Sequence, residues 1–292
     1  MITVMGATGN TGKKITEALL KAGERVRALG RSEGKLAELK RSGAKVLADT
    51  NDAAFLTNAF RGATAVYTLL PTDPRADNYR AEQDRQGEAI AKAIRESGVR
   101  YVVALSSMGA DSSEARGVIA GLHAQEERLK KIDKINLVLL RPVSFFENFY
   151  GSVVMIKQEG INGDSVEADL AIPMVATRDI ADAAAKALKE RDWKGVIVRE
   201  LLGPRDITYA EATHILGEKI GKPSLQYVQF SYDDQANALA QASLSESFAN
   251  LYVEMTRAFN EGTVKPTRTR ENTTPARFED FADELARAYE TL

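Results

Sequence analysis

Met5-Gly6-Ala7-Thr8-Gly9-Asn10-Thr11-Gly12 stands between the apolar run Ile2-Thr3-Val4 and a helical pattern over residues 13–22, where Ile15, Leu19 and Ala22 recur on one face. The order is strand, glycine turn, helix. Gly6 permits a tight departure from the strand, and Gly9 permits close approach of the backbone to a pyrophosphate. Gly12 lets the helix begin hard against the sheet, its first amides facing the phosphates. Gly23-Glu24 closes this helix before a second strand at residues 25–29. A dinucleotide cradle is therefore expected at the start of the chain.

Further strand-like stretches fall at residues 45–48, 65–70, 101–105 and 137–140, with helical patterns at 34–41, 53–60, 77–97 and 122–132 between them. Such alternation predicts an α/β fold: a doubly wound parallel Rossmann sheet with helices on both faces. After Pro142 the rhythm loosens. A helix is expected at 179–189, a strand at 195–201, and a helix at 208–219 opened by the capping box Thr208-x-x-Glu211. A strand at 225–230, helical material at 233–259, a loop at 265–274 and a last helix at 275–292 complete the reading. The expected division is a nucleotide-binding domain at 1–150 and a smaller C-terminal α/β substrate lobe at 151–292, with 172–188 as a candidate to return to the main domain.

The chain has 292 residues, with 39 Lys and Arg against 41 Asp and Glu, a formal charge of −2. Nothing in that balance attracts phosphate backbones or anionic lipid, so neither nucleic acid nor membrane is an expected partner. The absence of cysteine removes disulfides, thiolate zinc sites and thiol redox chemistry. Any redox work must use a bound cofactor. No apolar run reaches the roughly 18 residues of a membrane span, and the first strand pattern starts at Ile2, so no leader is expected and the expected location is cytoplasmic.

The end of the second strand decides between nicotinamide cofactors. An acidic residue there would hold a ribose 2′-hydroxyl; this chain has Gly30-Arg31-Ser32 instead. The Arg31 guanidinium can grip a 2′-phosphate in bidentate fashion, and Lys35 can add a second cation on the same helix face. NADP(H) is favoured over NAD(H), with Glu33 the dissenting residue. Asp49-Thr50 follows the third strand, where such folds meet the adenine.

The glycine turn together with Gly30-Arg31-Ser32, Leu69-Leu70-Pro71, Leu105-Ser106-Ser107, and Arg141-Pro142 before Glu147-Asn148-Phe149, resembles the NmrA-like branch of the atypical short-chain dehydrogenase/reductases. The resemblance continues more weakly through Ile172-Pro173-Met174-Val175, Arg178-Asp179-Ile180, Leu202-Gly203-Pro204, and Thr274-Pro275 with Phe278 and Phe281. Within that branch the chain is similar to bacterial NADPH-dependent quinone and dye reductases, while other members are regulators that bind NADP without known turnover. The resemblance implies that Gly6, Thr8, Gly9, Asn10, Thr11 and Gly12 hold the pyrophosphate and that Arg31 and Lys35 hold the 2′-phosphate. It also implies that Leu70, Pro71, Ser106 and Pro142 border the nicotinamide.

Short-chain dehydrogenases that exchange a proton through tyrosine carry Tyr-x-x-x-Lys, because the lysine lowers the tyrosine pKa. None of the nine tyrosines here is followed by lysine at that spacing. Ordinary alcohol or ketosteroid dehydrogenase activity is thereby not expected. On the helix after the fifth strand, His123 and Glu127 share a face, so the carboxylate could orient the imidazole as a proton donor; the alternative is a structural pair. They supply too few ligands for a metal site, and none is expected. Ser107, at a strand's carboxyl end, is a candidate hydrogen-bond donor to a substrate oxygen, and no Gly-x-Ser-x-Gly marks a hydrolase. Phe145, Phe146, Phe149 and Tyr150 form either a flat wall for an aromatic substrate or part of a core. Two functions follow: hydride transfer from NADPH to a flat, electron-poor acceptor such as a quinone, or an NADP(H)-sensing regulator without turnover. The first needs a small-molecule acceptor; the second needs a protein partner, and homo-oligomers fit either.

Overall fold

Buried on both faces, β1 (Ile2–Val4) shows no alternation of polar and apolar side chains: Ile2, Thr3 and Val4 are all fully enclosed. A strand reads this way when helices cover both sides of a parallel sheet. The computed structural model describes residues 1–48, 52–71 and 73–292.

The chain runs from β1 through α1 (Asn10–Lys21), β2 (Val26–Gly30), α2 (Glu33–Arg41), β3 (Lys45–Ala48), α3 (Ala53–Phe60) and β4 (Ala65–Thr68). It continues through α4 (Tyr79–Ser97), β5 (Tyr101–Leu105), α5 (Val118–Lys130), β6 (Asn136–Pro142), α6 (Phe149–Glu159), β7 (Asn162–Asp164) and α7 (Thr177–Glu190). Last come β8 (Val196–Leu201), α8 (Tyr209–Lys219), β9 (Tyr227–Gln229), α9 (Tyr232–Gln241), α10 (Glu246–Asn260) and α11 (Phe278–Thr291). Seven strands form one sheet in the order β3-β2-β1-β4-β5-β6-β8, and every neighbouring pair is parallel. The order reverses between β1 and β4, which opens a crevice at the strands' carboxyl ends.

One face of the sheet is covered by α1 and α7, whose Ile15, Leu19, Ile180 and Leu188 join Val4, Val103 and Val138 in a single apolar layer. The other face is covered by α3, α4 and α5 through Leu56, Phe60, Ile90, Ile94 and Leu129. A third core belongs to the smaller lobe, where α6, α8 and α11 enclose Phe146, Phe149, Leu216, Phe278 and Leu285.

The linear boundary at residue 150 gives way to a division in space. Helix α7 packs on α1, and β8 pairs with β6 as the edge of the main sheet, so residues 177–201 belong to the nucleotide-binding layer structure. The remaining C-terminal segments form the lobe around a two-stranded parallel pair, β7 with β9. The expected helical tract at 233–259 divides into α9 and α10 at Ser243, whose φ of 62° interrupts the first helix. Ser245 then caps α10 by accepting from the Phe248 amide at 3.1 Å. Helix α10 lies across α4 and α5. The approach to α5 is close: a Cβ at Gly117 would sit 2.1 Å from the Leu251 carbonyl oxygen.

Candidate active site

At the carboxyl ends of the strands lies a cavity of about 600 Å³. One end is the glycine turn. Gly6 has φ of +61°, a conformation costly for any residue with a Cβ, and the chain reverses there directly off β1. Gly12 has a different duty: a Cβ on it would come within 2.2 Å of the Gly6 carbonyl oxygen, so only glycine lets α1 begin against the turn. Gly9 occupies the N-cap of α1 without a side-chain cap, leaving the first amides of the helix unclaimed by any capping group. Gly6, Thr8, Gly9, Asn10 and Thr11 line the cavity; Gly12 lies behind them as packing. Tyr67, fully buried in β4, donates to the Thr11 hydroxyl oxygen at 3.0 Å and anchors the turn to the sheet; burial pushes its own pKa up.

Arg31 follows β2, lines the cavity and is exposed, with no salt bridge to a described residue. Lys35 is exposed on α2 outside the cavity lining, and its amide donates to the Ser32 hydroxyl that caps the helix. The cationic end of the cavity therefore rests on Arg31. Asp49 and Thr50 lie outside the described residues.

The middle of the cavity is bordered by Leu70, Pro71, Ser106 and Ser107, together with Val143, Ser144 and Phe145. Pro142 does not reach the lining. It ends β6 as a buried residue whose carbonyl accepts from the Met108 amide at 2.9 Å, and the next three residues form the wall in its place. The Ser106 hydroxyl donates to Glu126 Oε1 at 2.6 Å. Glu126 is itself buried and takes a forked pair from Arg141, Nε at 2.8 Å and Nη2 at 2.5 Å, with Lys130 at 3.3 Å. The bidentate geometry fastens the ends of β5, α5 and β6 to one another. The Glu126 hydrogen bonds hold the Arg141 pKa above its ordinary value. Sequence reading missed this pair, although Arg141 stood in a quoted motif and Glu126 adjoined the chosen Glu127.

His123 is not among the residues lining the cavity; Leu122 is. The imidazole Nδ1 lies 2.9 Å from the Ala110 carbonyl oxygen. A carbonyl only accepts, so Nδ1 carries the proton. Glu127 does not hold the ring: its carboxylate pairs with Lys130 at 3.0 Å, which keeps it below the usual carboxylate range. The expected His123–Glu127 unit is thus replaced by two separate contacts, each satisfied by a nearer partner. Among the described residues no group of three His, Cys, Asp or Glu could hold a metal ion.

The four aromatic candidates divide between the two alternatives. Phe145 lines the cavity, but Phe146 and Phe149 are almost wholly buried in the lobe core, edge-on to Phe278 at 5.2 and 4.9 Å between ring centres. Tyr150 is 39% exposed and packs against Phe281. A 3₁₀ turn over Phe146–Asn148, running straight into the first turn of α6, points these three rings away from the crevice. Glu147 likewise turns inward, accepting from the Thr177 amide at 2.9 Å at the start of α7.

The aromatic surface over the cavity comes instead from α10, whose Phe248, Tyr252, Met255 and Phe259 face it in one stripe. Ile172, Tyr209 and Val166 close the lobe end. There the Tyr252 hydroxyl donates to Asp164 Oδ2 at 2.7 Å, and the Ser144 and Tyr209 hydroxyls lie 3.5 Å apart. Burial raises the Asp164 pKa above the usual carboxylate value, and burial with the neighbouring Asp164 charge raises Tyr252. The sequence carried one signal for the roof: 248, 252, 255 and 259 follow helical spacing.

The chain is 30% identical over 294 residues to a Streptomyces griseus (4-alkanoyl-5-oxo-2,5-dihydrofuran-3-yl)methyl phosphate reductase, covering 99% of each chain. It is 28% identical to quinone oxidoreductase 2 of Escherichia coli, over 87% of this chain and 86% of that one. Among solved structures, triphenylmethane reductase of Citrobacter sp. complexed with NADP(H) superposes with a TM-score of 0.79 at 23% identity, over 98% of this chain and 100% of the other. The fold is accordingly that of this group of reductases. The model of the NmrA-like family matches residues 1–291, and the chain belongs to the NmrA-like family.

Proposed function

We propose that this protein is an NADP(H)-dependent oxidoreductase that reduces a flat conjugated carbonyl compound, a quinone being the leading candidate. The observation that supports it most is the continuity of one cavity: glycine turn and Arg31 at one end, an aromatic and aliphatic vault from α10, Phe145 and Ile172 at the other. The turn and α1 offer unclaimed amides for a pyrophosphate, and the Arg31 fork suits a 2′-phosphate. Ser106, Ser107, Leu70 and Pro71 border the span between the ends, where a nicotinamide ring would have to lie. Bound NADPH supplies the hydride. The protein holds the acceptor flat against apolar and aromatic side chains and keeps water from it. The names of two relatives, a (4-alkanoyl-5-oxo-2,5-dihydrofuran-3-yl)methyl phosphate reductase and a quinone oxidoreductase, both refer to ring compounds that carry a carbonyl group, which supports the reading.

Steady-state NADPH oxidation by the purified protein, measured with a panel of benzoquinones and naphthoquinones, tests the reading. Turnover with at least one acceptor is expected. Tight NADPH binding with no turnover across the panel overturns it and leaves a cofactor sensor.

A further inference from the structure

We infer that Tyr252 and Asp164 form a proton relay at the lobe end of the cavity, delivering the proton that the acceptor's oxygen needs once hydride has reached its carbon. The inference rests on the proposed reductase activity and adds a residue assignment to it.

The chain lacks the tyrosine–lysine motif that would supply this proton from the helix after β5, and His123 on that helix is absent from the cavity lining. The opposite wall has what is missing. Tyr252 lines the cavity from α10 and holds its hydroxyl 2.7 Å from Asp164 Oδ2. Asp164, at the end of β7, lies behind Tyr252 and is not itself part of the lining. Asp164 is partly buried behind the cavity wall. The groups facing it are the phenol of Tyr252 from α10, the phenols of Tyr227 from β9 and Tyr209 from α8, and the amides of Ser165 and Val166 from its own segment. Tyr227 leaves the carboxyl alone: its hydroxyl donates to the Asp164 and Val166 carbonyl oxygens. No described cation pairs with Asp164. Burial in that setting raises the Asp164 pKa above the usual carboxylate value, against the hydrogen bonds from Tyr252 and the Val166 and Ser165 amides. When Asp164 carries a proton, Oδ2 donates to the Tyr252 oxygen and frees the Tyr252 O–H for the acceptor; when Asp164 is ionised, the hydroxyl turns back to the carboxylate.

The step balances. Hydride adds to the acceptor's carbon, and the electron pair of its conjugated C=O moves onto oxygen. That oxygen bonds the Tyr252 proton as the Tyr252 O–H breaks. The Tyr252 oxygen takes the Asp164 proton as that O–H breaks. Asp164 is left as a carboxylate and is reprotonated from solvent before the next turnover. The net result is a reduced acceptor carrying one new C–H and one new O–H, with NADP⁺ as the other product.

Tyr252→Phe keeps the ring and removes only the hydroxyl. With the quinone that the wild type turns over best, kcat is expected to fall about 100-fold or more while the NADPH dissociation constant moves less than about twofold. Wild-type kcat should decline as pH rises through the Asp164 ionisation, and Asp164→Asn should lose that limb. A readout free of turnover accompanies these: the infrared C=O band of a protonated buried carboxyl, present in the wild type at neutral pH, absent in Asp164→Asn and shifted in Tyr252→Phe. A kcat within about tenfold of wild type in Tyr252→Phe overturns the relay and leaves the reductase reading intact. Wild-type protein that turns over no acceptor overturns both.

Discussion

Replacing Gly12 with alanine puts the dinucleotide cradle under direct strain. In an exposed helix interior, glycine to alanine ordinarily stabilises by about 1 kcal/mol. Here the new Cβ would lie 2.2 Å from the Gly6 carbonyl oxygen, 2.6 Å from its carbon and 2.9 Å from the Met5 oxygen, all of them backbone atoms that cannot rotate away. To regain ordinary van der Waals contact, the start of α1 must withdraw from the turn by about 1 Å. Overpacking of this kind costs about 1–3 kcal/mol, so the net effect is a loss of stability despite better helix propensity. The same withdrawal moves the α1 amides away from the place where the proposed site holds a pyrophosphate. Losing two charge-assisted hydrogen bonds at about 1.5 kcal/mol or more each weakens NADPH by at least about a hundredfold. Gly151→Ala is the matched control: it lies exposed in α6 with nothing within 4 Å of a built Cβ. It should gain up to about 1 kcal/mol and leave NADPH affinity unchanged. Urea denaturation and fluorescence titration with NADPH read both quantities. A Gly12→Ala protein with wild-type stability and wild-type affinity would refute the packing argument.

Arg31→Asp should weaken NADPH about tenfold to a hundredfold and NADH little, since it exchanges a phosphate grip for a repelling charge; equal losses for the two cofactors would make Arg31 structural. Glu126→Gln should cost about 3 kcal/mol in urea, because it removes the buried carboxylate that takes the Arg141 fork and leaves Asp111, 3.7 Å away, as the remaining anionic partner, whereas Glu127→Gln on the same helix should stay within about 0.5 kcal/mol. Glu279, at the start of α11, tests pH dependence: burial opposes its ionisation, but hydrogen bonds from Arg205 and Arg277 pull its pKa down to about 2. A depressed carboxylate stabilises above its unfolded pKa and loses that contribution as pH falls through the folded one. Glu279→Gln should therefore cost about 1 kcal/mol at pH 7, after allowance for solvent screening, and progressively less as pH falls from about 4.5 towards 2.

What could be read from the sequence was local. Gly6, Gly9 and Gly12 constrain a turn within a few residues of one another, so their spacing alone carries the geometry found at the end of β1. Alternating strands and helices made a parallel sheet the expected arrangement, and Arg31 lies at a fixed distance along the chain from the glycine turn and lines the same cavity. Distant pairings were not legible. Arg141 and Glu126 are 15 residues apart on different elements, and nothing in either neighbourhood says that their forks meet. The Phe145–Tyr150 cluster stayed ambiguous for a related reason: its composition suits a ligand wall and a core, and the turn at Phe146–Asn148 with the start of α6 decides which rings turn inward.

The stripe on α10 shows the same limit in its most consequential form. Helical spacing of Phe248, Tyr252, Met255 and Phe259 announces a buried face without naming what it covers. Asp164 sits in Asn162-Gly163-Asp164, a run that reads as a turn, yet these residues pair with β9 and place a carboxyl behind Tyr252, 88 positions away. A search for a proton donor along the helix after β5 finds no tyrosine–lysine pair and stops at His123. The sheet fixes only where the hydride side of the cavity lies; the lobe may approach the acceptor's oxygen from any free direction. In this chain α10 crosses α5 closely enough to demand glycine at position 117, and that crossing carries a phenol onto the cavity wall. The acid–base group inferred at Tyr252 thus stands on a helix that packs on α4 and α5, while the cradle is built by β1, the glycine turn and α1.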